Sequence, residues 1–339
     1  MPVLRELQQE LLPVIEGHLR TFLSGMDYGQ SAELGDMLTY HMGWDSTGPE
    51  NAAGGKRIRP LLTLLCHGAF NSDLEPAIPA AIAVELLHNF TLIHDDVQDN
   101  SPLRHNRPTL WKKWGLAQAI NAGDALFSIA QTAMLSLEKT CGTEIALQAA
   151  KQLNAVCLHL TRGQYLDIAF ETAPDVTVET YLDMVEGKTA ALIAFTASLG
   201  GLTAKQELPI RDRLSDFGNR LGLAFQIQDD LLGIWGDPEV TGKSAVSDLL
   251  THKKSLPVLF GLENSPEFFS VWSYEHLTDS DVQALAALLE ACGARDYVTR
   301  TANQYTDQAF QALDELFPRQ NRYSDALYEL TGQLLNRSA

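Results

Sequence analysis

The sequence predicts an all-α fold on three observations. Apolar residues recur at helical spacing through most of the chain, alternating β-branched runs are scarce, and turn-forming residues cut the chain into helix-length segments. In chain order, the run LRELQQELLPVIEGHLRTFL over Leu4–Leu23 breaks its apolar positions with charges every few residues. That predicts an amphipathic helix and not a secretory signal. Leu61, Leu64 and Leu65 continue the helical period, and Leu221, Ala224, Phe225 and Gln228 repeat it. Gly, Pro, Asn and Asp gather near residues 43–55, 71–79, 100–108, 171–176, 200–208, 236–248 and 264–267. They leave segments of roughly 20–30 residues, about ten helices in all, with no convincing sheet.

Ala77–Phe90 and Ala190–Leu199 are apolar on more than one face, which predicts helices enclosed by other helices in a bundle core. The most apolar stretch, Ala190–Leu202, is too short to span a bilayer, so no membrane-spanning segment is expected. No internal repeat or low-complexity tract is present, and the residues before Gly43 are too few for a core of their own. One continuous helical domain over residues 1–339 is therefore expected. A net charge of −18 argues against a nucleic-acid partner, because binding a polyanion rests on Lys and Arg. Cys66, Cys141, Cys157 and Cys292 show no metal-ligand spacing and read as reduced core residues of a cytoplasmic protein.

Three clusters carry chemistry. The first is His94-Asp95-Asp96-Val97-Gln98-Asp99-Asn100, at the end of the apolar helix that begins near Pro79. Helical residues four apart share a face, so Asp95 and Asp99 point the same way with Asp96 beside them. Like charges gathered in this way ask for a hard cation with oxygen ligands, such as magnesium. The second is Gln228-Asp229-Asp230-Leu231-Leu232-Gly233, again after an apolar helix. Two helices delivering acidic pairs can share metal ions across a bundle, and magnesium completes its shell with water and substrate phosphates. The third is Gly54-Gly55-Lys56-Arg57-Ile58-Arg59-Pro60, a basic group at a helix start, where phosphate is favoured. Arg104, Arg107, Lys188, Lys243, Lys253 and Lys254 are the further cations near the acidic motifs.

In order and spacing, GGKRIRP, LLHNFTLIHDDVQDNSPLRHNRPT, GKTAALIAFTASLGG and FQIQDDLLGIWGDPEVTGKSAVSDLLTHKKSLPVL resemble the trans-isoprenyl diphosphate synthase, or polyprenyl synthetase, family. The resemblance covers roughly residues 50–265 and implies one large antiparallel helix bundle around a central active-site cavity. It implies magnesium-dependent, head-to-tail condensation of isopentenyl diphosphate with an allylic diphosphate, usually in a homodimer. Asp95 and Asp99 match the ligands of two magnesium ions, with Asp96 in support, and Asp229 matches the ligand of a third. Lys56, Arg59 and His88 match the positions holding isopentenyl diphosphate, while Arg104, Lys188, Gln226 and Lys253 match contacts to the allylic diphosphate. An aromatic residue, Phe90, five positions before the motif implies a C20 product, geranylgeranyl diphosphate, with farnesyl diphosphate as the alternative. The pattern departs at Gly233, where many relatives have a third aspartate, and at His105, where a second arginine is usual. A terpene cyclase of the same fold would have no use for the GGKRIRP cations. An inactive partner subunit would be expected to lose aspartates that are present here.

Overall fold

The computed structural model of the chain describes residues 2–45, 55–236, 247–274, 276–319 and 321–335. Among them sixteen α-helices account for almost all regular structure, more than the ten or so that spacing predicts. The excess comes from short interruptions inside apolar stretches. A capping serine, Ser265, accepts from the Phe268 N–H at 3.1 Å and starts a new helix, and Gly293, at φ 82°, starts another. The chain divides into two compact units, Met1–Leu153, Thr196–Arg211 and Gln320–Leu327 forming one, Asn154–Phe195, Asp212–Arg319 and Tyr328–Ala339 the other. Each draws on three stretches far apart in sequence, so no break in composition marks a border.

In the first unit, α1 (Val3–Ser24) buries Leu4, Leu7, Leu11, Ile15, Leu19 and Leu23, the stripe its amphipathic pattern predicts. It is followed by α2 (Ala32–His41), α3 (Ile58–Gly68) and α4 (Ile78–Gln98). α4 carries Pro79 in its first turn, where a missing N–H costs nothing. It buries every residue from Ala80 to Leu87. With its leading turn, Glu75–Gln98 is long and apolar enough to cross a membrane by length and composition. Two thirds of its most apolar window, 67%, is nonetheless buried inside the protein, as in a core helix. α5 (Leu110–Trp114) and α6 (Leu116–Leu135) complete this part, with α4 packed along α6. Gly123 permits the approach, because a Cβ there would collide with the His94 ring. Between α4 and α5, β1 (Leu103–Arg104) and β2 (Arg107–Pro108) form a minimal antiparallel hairpin. His105 and Asn106 at its tip both have positive φ, 50° and 60°, the pattern of a type I′ turn.

α7 (Thr143–Thr172) leads to α8 (Val178–Val185), which is opened by a Thr177/Thr180 capping box. One π-helical turn, Glu186–Ala190, joins α8 to α9 (Ala191–Thr203), and α10 (Leu208–Trp235) follows. The rest comprises α11 (Ser247–Leu250), α12 (Leu256–Asn264), α13 (Pro266–Trp272), α14 (Asp279–Ala291), α15 (Ala294–Leu316) and α16 (Arg322–Leu335). Among the described residues, two core clusters support the second unit. Tyr181, Val185, Leu223, Ile227 and Leu256 belong to one, and Ile234, Leu249, Val258, Phe268 and Leu285 to the other.

Candidate active site

Each unit carries one aspartate motif. Neighbours on a helix point about 100° apart, so the two members of an Asp-Asp pair cannot face the same way. At the end of α4, Asp95 is half-buried and Asp99 exposed, while Asp96 turns inward with its side chain 4% exposed. Arg104 of the hairpin donates from Nε to both Asp96 oxygens, at 2.9 and 3.0 Å, and its Nη2 lies 2.8 Å from Oδ1. Asp96 thus anchors the Arg104 guanidinium, which stays partly exposed, instead of completing the acidic stripe. α10 repeats the division. Asp229 is half-buried, whereas Asp230 is buried and accepts from the Tyr181 hydroxyl and, at 3.0 Å, from the Leu256 N–H. Burial pushes the Asp230 carboxyl up to about 6, against the pull of Lys253 and both hydrogen bonds.

Around the base of α4 the first unit gathers cations. Arg57, at φ 47°, is buried and reaches Glu85 at 2.8 Å, Glu16 at 3.1 Å and the Met42 carbonyl. Burial opposes its charge, but the two glutamates outweigh it and hold the guanidinium charged. Arg57 is therefore structural, while Lys56 beside it is exposed. Arg59 has a buried Nε without a partner, and burial works against its charge with Glu85 in opposition. His88 is held neutral, first by burial and then by the charges of Arg59, Arg104 and Arg57. His41, which closes α2, belongs to the same group: its Nε2 is buried without a partner. Burial first, then Arg104 and Arg57, push its pKa down to about 3. Arg107 holds the Tyr40 carbonyl and Asp45, stacking over the Tyr40 ring, so it braces the fold. His105 is exposed at the hairpin tip.

The second unit gathers the remaining residues. Lys188 sits in the π-helical turn, an irregularity that re-aims side chains and recurs at functional sites. Its ammonium pairs with Asp167 of α7. Gly163 of α7 has no room for a Cβ, which would strike the backbone of Gly187 and Lys188. Gln226 accepts from Thr189 at 3.1 Å and donates to Asp230 at 3.3 Å. Lys253 opposes burial with the combined field of Asp230, Asp248, Asp167 and Asp229, which raises its pKa. Lys254 donates to the carbonyls of Phe170, Glu171 and Ala173 and so caps the end of α7, a structural task. Lys243, Asp237 and Gly54 lie outside the described residues.

Residues 47–291 match the sequence profile of the polyprenyl synthetase family. The chain belongs to that family. It is 38% identical over 314 residues to the (2E,6E)-farnesyl diphosphate synthase of Mycobacterium bovis, covering 89% of this chain and 86% of the relative. It is 40% identical over 289 residues to a geranylgeranyl diphosphate synthase of Mycobacterium tuberculosis, covering 83% and 82%. The solved structure of a polyprenyl synthetase from Streptomyces coelicolor superposes with a TM-score of 0.86 at 35% identity, over 98% of each chain. As a polyprenyl synthetase the protein is an all-α prenyltransferase.

The residues of this polyprenyl synthetase fit magnesium by the chemistry of their donors. Asp95 and Asp99 form a stripe of hard oxygen ligands one helical turn apart, and Asp229 is half-buried at the end of α10. Among the described residues, no three carboxylate, His or Cys side chains are grouped closely enough to cage an ion unaided. Magnesium suits such a set, because it keeps waters and binds substrate phosphates. His41, Tyr181, Asp167 and Asp248 escape a reading of the sequence. A lone histidine and tyrosine carry no motif, and the two aspartates meet the site only through the return of the chain.

Proposed function

We propose that this chain is a magnesium-dependent trans-isoprenyl diphosphate synthase that joins isopentenyl diphosphate head to tail to an allylic diphosphate, with geranylgeranyl diphosphate as the product. The observation that carries the reading is the Asp95–Asp99 stripe at the end of α4, with Phe90, the aromatic that the family resemblance ties to product length, five positions earlier on the same helix. Phe90 packs against Phe127 of α6 at 5.2 Å and against His94 at 4.8 Å. Asp95, Asp99 and Asp229 would hold three magnesium ions, with Asp96 fixing Arg104 beside them. Bound magnesium supplies Lewis-acid stabilisation of a departing diphosphate. Lys188, Lys253 and Gln226 hold the allylic diphosphate, and Lys56, Arg59, His88 and His105 hold isopentenyl diphosphate. Neutral His88 donates a hydrogen bond without adding charge, and the partnerless Arg59 Nε offers a further donor. The apolar body of α4 below the stripe would keep water from the allylic cation.

Farnesyl diphosphate is the second reading, because relatives of nearly equal identity carry the two names. Exposed Leu116 and Ile120 on α6, with Leu147, Leu158, Tyr165 and Ile168 on α7, support a homodimer. All four cysteines are free thiols, which suits the cytoplasm. The test is incubation with radiolabelled isopentenyl diphosphate, magnesium and C5, C10 or C15 allylic diphosphates. Elongation to C20 with both substrates present is expected. Turnover of an allylic diphosphate alone would make the chain a cyclase.

A further inference from the structure

The two acidic helices of this chain look unequal. On α4 the residue one turn after Asp95 is Asp99, so two carboxylates stand on one stripe. On α10 the residue one turn after Asp229 is Gly233, which has no side chain. The space above Gly233 is nevertheless filled. A Cβ there would lie 2.6 Å from Oδ2, 2.8 Å from Cγ and 3.0 Å from Oδ1 of Asp248, and these are its three nearest atoms. The carboxylate of α11 therefore occupies the position that an aspartate at 233 would claim, on the face that carries Asp229.

The placement is built. Leu249, next to Asp248, is fully buried in the core that includes Ile234, Val258 and Phe268. His252, at φ 52°, turns the chain back, and the Lys253 N–H donates to the Asp248 carbonyl at 2.9 Å. Asp248 and Asp229 both act on the Lys253 ammonium, as do Asp230 and Asp167. Lys188 pairs with Asp167. Two lysines among four carboxylates leave an excess of two negative charges, which a divalent cation neutralises.

The structure assigns Asp248 as the partner carboxylate of Asp229, set beside it by the missing side chain of Gly233 and directed at the same divalent cation. The inference rests on the reading of Asp229 as a metal ligand and extends it to a residue outside the Asp-Asp motif. It makes the α10 cluster the counterpart of Asp95 and Asp99, with its second member supplied by another helix.

The test is Mn2+ binding, read by electron paramagnetic resonance on the full chain with inorganic diphosphate as the anion. Asp248→Asn keeps the shape and removes the charge, and should weaken Mn2+ about tenfold or more, as losses around a metal commonly do. Asp248→Ala with Gly233→Asp moves the carboxylate onto α10, where the departing side chain leaves room, and should restore wild-type affinity. Wild-type affinity in a folded Asp248→Asn overturns the inference, as does a folded double variant that binds no better than Asp248→Ala alone. Should Asp248→Asn fail to fold, the double variant decides. Asp229→Ala separates the two levels. If it weakens Mn2+ and Asp248→Asn does not, the inference falls and the reading of Asp229 stands; if neither weakens it, both fall.

Discussion

Lowering the pH below 6.5 should destabilise this protein through His41 in particular. In the unfolded chain an imidazole titrates near 6.5, whereas in the fold burial, Arg104 and Arg57 push His41 down to about 3. Between those values the unfolded state binds a proton that the folded state refuses. Stability therefore rises with pH, is complete above 6.5, and is lost at about 1.4 kcal/mol per unit as pH falls toward 3. From pH 8 to pH 5 the loss through this side chain is about 2 kcal/mol, an interval lying wholly above the folded value. His67 and His88, also lowered by burial, add losses of the same sign, so the wild-type slope alone identifies no residue. His41→Gln isolates the effect, because an amide keeps a donor and takes up no proton. Urea unfolding followed by circular dichroism at pH 8, 6.5 and 5 should give the variant a loss smaller by about 2 kcal/mol. Parallel stability curves for the two proteins would refute the reasoning.

Asp95→Ala and Asp229→Ala should each lower turnover about a hundredfold or more while the helical circular dichroism is kept, and near-normal rates at saturating magnesium would remove the residue from the site. Phe90→Ala takes away the ring that meets Phe127 and His94, so radio-chromatography should show longer products; an unchanged distribution would place the floor elsewhere. Gly163→Ala forces a methyl group into the backbone of the π-helical turn, and should cost about 1–3 kcal/mol in urea unfolding together with a marked loss of turnover through Lys188. His105→Arg should flatten any weakening of isopentenyl diphosphate binding between pH 6 and 8, as measured by KM; superimposable profiles would leave His105 in solvent.

What the sequence revealed and what it hid divide along a physical line. The helical period gave the fold class, and the four-residue spacing of Asp95 and Asp99 placed them on one stripe, because both are properties of a single helix. The fate of Asp96 was hidden, since its tie to Arg104 depends on a hairpin whose strands are two residues long, too short to show any period. By residue type alone Arg57 and Arg59 look alike in GGKRIRP, and the family resemblance singles out Arg59 without giving a physical reason. Only packing separates a guanidinium clamped between Glu16 and Glu85 from one with a partnerless nitrogen. Gly233 read as a loss, because nothing linear connects it with Asp248. Lys254 counted only as a cation near the acidic motifs, and its task, holding the carbonyls at the end of α7, depends on a helix some eighty residues earlier.

The inward-turned aspartates also set a timetable for assembly. Asp96 waits for Arg104, eight residues later, and Asp230 for the N–H of Leu256, twenty-six residues later. A helix can wind from local contacts within about a microsecond, but a carboxylate that leaves water before its partner arrives bears an uncompensated desolvation cost. α4 and α10 can therefore form early while their acidic ends stay hydrated. A nascent chain that stops short of residue 256 has the whole of α10, and Tyr181 as well, yet lacks the amide that completes the seat of Asp230. The seats of Asp96 and Asp230 are therefore completed only when Arg104 and Leu256 have packed against them, late in the folding of each unit.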